Sequence, residues 1–189
     1  GNMKDNEEEL DLELWLDKSI IERQNQLKSQ FLQLLESVGN SISNKDLSNF
    51  FTTSRGKKIT KGNDLLGYPY HVLDLVRDFD KTSGCNIRLL NWFGHSFFIL
   101  IFLGKTVRMP SKELVNLGFQ LGQVDDPWDF GDLILEKKVT RFPTESEILA
   151  GDFQLWIKEI PISGKEKSTI QLLVEDVKKI LALELKHSS

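Results

Sequence analysis

Four stretches of this chain gather side chains that can carry protons, charge or a ligand. The first is Gly67-Tyr68-Pro69-Tyr70-His71-Val72-Leu73-Asp74-Leu75-Val76-Arg77. Read as a helix, it puts Tyr70, Asp74 and Arg77 on one face and His71 one turn from Asp74. A His–Asp pair orients an imidazole for general-base work or for a metal. The plainer reading of the same residues is an Asp–Arg pair under an aromatic cap. The second stretch holds Arg88, Trp92 and His95. On a strand, Arg88, Leu90 and Trp92 share a face, so a cation–π stack of Arg88 on Trp92 could receive a planar ligand or an unstacked base. Its plain counterpart is a core tryptophan shielding a strand arginine, with His95 a turn residue.

The third stretch, Thr52 to Asn63, contains Arg55, Lys57, Lys58 and Lys61 with Gly56 and Gly62. Read as an exposed basic loop, it could cradle a phosphate or an acidic partner through its cations and backbone N–H groups, or simply be a solvated loop. It is not a P-loop, because Asn63 follows Gly62 where the lysine belongs. The fourth, Gln123 to Asp132, places Asp125, Asp126, Asp129 and Asp132 near one another. Hard cations such as Ca²⁺ take carboxylates of this kind, but Pro127 and Trp128 interrupt the spacing of a calcium loop. An empty acidic turn is the expectation, and no metal site is assigned.

No catalytic signature accompanies these clusters. Dinucleotide and nucleophile-elbow glycine motifs, His-Glu-x-x-His and Cys-x-x-Cys are all missing. A structural zinc site takes four ligands of this type and would need all three histidines and the one cysteine together, so none is expected. Accordingly no catalytic residue and no cofactor is assigned. The single Cys85 excludes an internal disulfide and suits a reducing compartment. Net charge is −4, which disfavours a dedicated nucleic-acid binder. The most apolar run, Phe97 to Leu103, is far shorter than the ~20 residues a spanning helix needs. With no apolar leader at the start, the expectation is a soluble, cytoplasmic protein without membrane contact.

Positioning these residues falls to a few legible elements. From Leu10 to Val38 neither Pro nor Gly interrupts the chain, and Leu16, Ile20, Arg23, Leu27, Phe31, Leu34 and Val38 recur at steps of three and four. That is the seam of a helix lying along a partner helix. Acidic residues crowd its first turn and Gly39-Asn40 reads as its stop. A helix of that length spans ~43 Å, more than a domain of this size covers, so one end projects or finds a partner. A short helix is expected over Asn44–Phe51, and another from Tyr70 to Asp80.

Asn86 to Phe93 and Phe97 to Leu103 read as two strands joined at Gly94-His95-Ser96, the second covered on both faces. Further strands are expected at Lys105–Val107, Leu133–Arg141 and Phe153–Ile157. Thr144-Glu145-Ser146-Glu147 is a capping box. Ser168 is expected to cap a last helix striped by Ile170, Leu173, Val174, Val177, Ile180, Leu181 and Leu185. The expected fold is α+β, a small, mostly antiparallel sheet packed with a long N-terminal helix and a C-terminal amphipathic helix. Its expected organisation is a disordered acidic segment over 1–9 and a single domain over 10–189.

The order Lys61-Gly62, Gly67-x-Pro69-Tyr70, Leu73-Asp74, then Arg88 with Trp92-Phe93-Gly94 resembles an uncharacterised bacterial protein family. The resemblance spans about residues 58 to 103 and implies no activity. Phe93 stands where that pattern would carry a second tryptophan. The surplus helix length, its seam and the missing catalytic signatures point to a non-enzymatic interaction or scaffold module, pairing with a second copy or another protein through the N-terminal helix. The other reading is an enzyme or small-ligand binder with a pocket lined by Tyr70, His71, Asp74, Arg77, Arg88 and Trp92.

Overall fold

Asp17 divides the long helix. In the computed structural model, which describes residues 6–188, helix α1 covers Leu12–Trp15 and helix α2 covers Lys18–Ser41. The first five residues of the acidic 1–9 segment lie outside the described residues, as does Ser189. The Asp17 carboxylate accepts from the Ile20 backbone N–H, and Asp11 does the same for Leu14. Each is an N-cap, so two helices start where one unbroken helix was expected. At the other end α2 runs through Gly39 and Asn40 rather than stopping there. Lys57 explains how: its Nζ donates to the Gly39 and Ile42 carbonyls at 2.6 Å each, satisfying groups a helix end leaves orphaned. Helix α2 is therefore 24 residues, ~36 Å long.

After α3 (Asn44–Phe50) the chain forms a four-strand meander: β1 (Lys58–Leu65), β2 (Tyr68–Asp78), β3 (Cys85–Trp92) and β4 (Ser96–Gly104). There follow β5 (Val107–Arg108), α4 (Ser111–Asn116), β6 (Gln120–Gly122), α5 (Phe130–Glu136), β7 (Val139–Thr140), α6 (Glu145–Ala150), β8 (Phe153–Ile160), α7 (Glu166–Leu181) and β9 (Lys186–His187). Seven strands make one sheet in the order β1-β2-β3-β4-β8-β6-β7, with every recorded pairing antiparallel; β5 and β9 pair separately. The α+β class, the antiparallel sheet and the helices at both ends are as expected.

Other segments differ from expectation as well. Residues 68–78 form a strand, not a helix. Tyr70, Leu73, Leu75, Val76 and Phe79 suit either period, and hydrogen bonding to β1 and β3 on both sides decides for the strand. A register shift between Asp74 and Val76 lets Leu73, Leu75 and Val76 all reach one side of the sheet. Residues 130–136 form a helix, not a strand: Phe130 and Leu133, one turn apart, drop onto the sheet, and Lys137 ends the helix with φ 52°. Only Val139–Thr140 of that stretch pairs as strand. The last helix also begins at Glu166, two residues before Ser168. The capping box at Thr144 and Glu147 is present with both its hydrogen bonds.

Strand β4 is the spine of the sheet and is covered on both faces. Phe97, Ile99, Ile101 and Leu103 pack with Leu35 and Val38 of α2 and Leu173, Val177 and Ile180 of α7. Phe98, Leu100 and Phe102 point the other way, toward Phe130 and Leu133 of α5. At the β2–β3 turn, a Cβ on Gly84 would stand 2.1 Å from the Asp80 backbone nitrogen, so only glycine fits there.

Candidate interaction surface

The sheet sorts the charged residues by face, because directly paired residues on neighbouring strands point the same way. Asp74 pairs with Arg88 on β3 and with Lys58 on β1; His71 pairs with Asn91 and Lys61. Asp74 and His71 are an odd number of residues apart on β2, before its irregularity, and so project from opposite faces. The His–Asp pair that a helix would have made is absent. His71 is buried, with its ring edge-on to Phe93 at 5.1 Å and Asn91 Nδ2 3.5 Å from its Nδ1. Desolvation first, then the Lys28 and Lys61 charges, push its pKa below the ordinary imidazole value.

Asp74 instead anchors a charge cluster on the α5 side. Arg88 Nε and Nη2 donate to its two carboxylate oxygens at 2.8 and 3.1 Å, and Asn86 Nδ2 donates at 3.2 Å. The guanidinium lies 5.4 Å from the Trp128 ring centroid, 5.7 Å from Phe130 and 5.9 Å from Phe102. The cation–π partner of Arg88 is thus Trp128 of the acidic turn rather than Trp92. Trp92 is buried and donates its indole N–H to the Leu65 carbonyl at 3.1 Å. Arg77 donates to the Gly56 and Arg55 carbonyls, and so braces the entry to β1. Tyr70, half-buried, packs among the α5-side hydrophobics with Trp92. Tyr70, His71, Asp74, Arg77, Arg88 and Trp92 therefore do not converge on one cavity. Asn86 and Trp128 belong to the charge cluster and had no local signal, since both reach it across the fold.

Only the second half of the basic stretch, from Lys58, is strand. Lys58 and Lys61 stand exposed on opposite faces of the edge strand β1, Lys57 is tied to the end of α2, and Arg55 precedes them in a loop. Charged residues on an edge strand discourage sheet-to-sheet pairing, which accounts for them without an anion. In the acidic turn, the Asp126 carboxylate accepts from the Trp128 N–H at 2.9 Å. Among the described residues, no three His, Cys, Asp or Glu side chains are grouped to hold a metal ion. Nor, among them, is any helix long and apolar enough to cross a membrane.

What the fold leaves conspicuously in water is its N-terminal arm. Leu10, Leu12, Leu14, Trp15, Leu16, Ile20, Ile21 and Leu27 are between 36% and 84% exposed, Trp15 at 69%. Burial of α2 begins only near Phe31, so its first half stands clear of the domain. Clustered exposed apolar side chains of this kind are a mark of interaction surfaces. Two concavities adjoin the arm. One is a shallow furrow on the surface of α2 itself, past Ile20, Arg23 and Leu27, lined by no other element. The other, of ≈130 Å³, lies between α2 and the β8–α7 loop, against Leu27, Phe31, Leu34 and Ile162. Flanking this surface are six carboxylates, Glu7, Glu8, Glu9, Asp11, Glu13 and Asp17, all before α2.

Comparison of the chain with protein-family models, curated proteins and solved structures gives no match.

Proposed function

We propose that this protein is a non-enzymatic interaction module that associates with a second copy of itself through the arm formed by α1 and the first half of α2. The exposed apolar row from Leu10 to Leu27 carries this reading. Leaving that row in water costs about 25 cal/mol per Å² relative to burying it, and α2 holds it away from the protein's own core. The reading draws further support from the distribution of polar groups. The buried charge cluster is internally paired, and the sequence carries none of the catalytic motifs named above. Docking is the role the exposed surface suits best.

Sedimentation equilibrium tests this on the full chain. A protomer of 21.7 kDa is expected to sediment at twice that mass at micromolar concentration. Replacing Trp15, Leu16 and Ile20 together by Ser is expected to return it to monomer with its circular dichroism unchanged, because none of the three touches the core. A wild-type monomer at tens of micromolar would sink the proposal.

A further inference from the structure

We infer that two copies pair antiparallel about a two-fold axis crossing α2 between Arg23 and Gln24, so that Trp15 and Leu16 of each copy enter the groove beside Phe31 and Ile162 of the other. This rests on the self-association proposed above and specifies its geometry.

The same chain carries both halves of the contact. Trp15 and Leu16 are exposed knobs just ahead of α2. The ≈130 Å³ groove against Leu27, Phe31, Leu34 and Ile162 is the hollow. It opens into the shallow furrow along α2 through two shared residues, Leu27 and Gln30. Gly164 also lines it, and a Cβ built there would meet nothing within 4 Å, so the groove has open space at that end.

The spacings are self-complementary, as a closed two-fold pair requires. Ile20 and Leu27 lie equally far on either side of the point between Arg23 and Gln24. Leu16 and Phe31 are likewise equally far from it in sequence, Leu16 standing just ahead of α2 across the Asp17 break. Antiparallel pairing therefore sets Ile20 on the other copy's Leu27 and Leu16 beside the other copy's Phe31.

Charge selects this arrangement over the parallel one. In a parallel pair, the six carboxylates from Glu7 to Asp17 would lie against the same six of the second copy, and like charges brought together are penalised. The antiparallel pair carries those two acidic ends to opposite poles. Each then approaches the neck of the other copy, where Lys61 pairs with His71 across β1 and β2 and Lys28 projects from α2. The parallel pair would also leave the Phe31–Ile162 groove empty.

Cysteine cross-linking decides the geometry. Ile20→Cys and Leu27→Cys are exposed positions, and the native Cys85 is buried and silent. Mild oxidation is expected to link the two variants when they are mixed and allowed to exchange, and to link neither variant on its own. Gly164→Leu, which fills the groove from the far end of the contact without touching the arm, is expected to weaken the dimer about tenfold. Efficient linking of Ile20→Cys or Leu27→Cys to itself would overturn the antiparallel geometry, and so would a dimer that fails to link in any combination. Both of those results leave self-association standing, whereas a monomeric wild-type mass removes it and this geometry together.

Discussion

Replacing Asp74 by Ala tests how the sheet tolerates a charge in its interior. The carboxylate is 4% exposed and accepts three hydrogen bonds, two from Arg88 and one from Asn86. Its loss leaves a guanidinium flanked by Phe102, Trp128 and Phe130 without its ion-pair partner. Removing one partner of a buried pair costs about 3–5 kcal/mol. The Arg88 side chain keeps 17% exposure and can recruit water from that side, which places the expected cost at the lower end, about 3 kcal/mol. In a chain of this length that lowers Tm by ~6–12 °C. Urea unfolding followed by tryptophan fluorescence and by circular dichroism measures it. The paired replacement Asp74→Leu with Arg88→Met is expected to cost less than Asp74→Ala alone, because it removes both charges and leaves nothing unpaired. A single-variant cost below ~1 kcal/mol, or a double variant whose cost equals the sum of its singles, would refute this account of the cluster.

Two further outcomes follow from buried groups. The pKa of His71 is lowered on folding, so between that value and the ordinary one near 6.5 the unfolded chain binds more protons than the folded one. Its contribution to stability is present above pH ~6.5 and is lost as pH falls. The wild type should therefore lose more stability than His71→Gln between pH 7.5 and 5.5 in urea titrations, and equal losses would count against the assignment. Burial, reinforced by the charge of Asp78, pushes the Cys85 thiol pKa up. Labelling by a thiol reagent should be slow in the native protein and accelerate with urea in step with unfolding; rapid, urea-independent labelling would contradict the packing.

What could be read along the chain was whatever local physics settles. The Thr144–Glu147 capping box closes within four residues, and the stripe of α7 follows from its own 3.6-residue period. Strand β4 declared itself because a run as apolar as Phe97–Leu103 must be covered on both sides. The arm's apolar row was equally plain, though not the capping by Asp17 that breaks its helix. The same carboxylate that looked like a complement to the helix dipole is bonded to the Ile20 N–H, and acidic residues near a helix start serve either role.

Tertiary structure decided the rest, most visibly in residues 68–78. Their apolar positions fit a helix and a strand alike, and only the neighbouring strands on both sides, available once the chain has folded, resolve the choice. That choice separates His71 from Asp74 and hands Asp74 to Arg88. A side-chain period of 3.6 and one of 2 send the same residues to different faces, so every candidate site in this stretch hung on it. Trp128 shows the same dependence at longer range. It is an interruption in an acidic turn when read along the chain, yet it covers an arginine 40 positions earlier in sequence, a contact set by the descent of α5 onto the sheet. The amino-acid order by itself determines which side chains cannot remain in water unaided; the packing of the strands and helices determines which of them the domain itself covers, and it is that remainder, from Leu10 to Leu27, that the fold leaves to a second copy under the proposal made above.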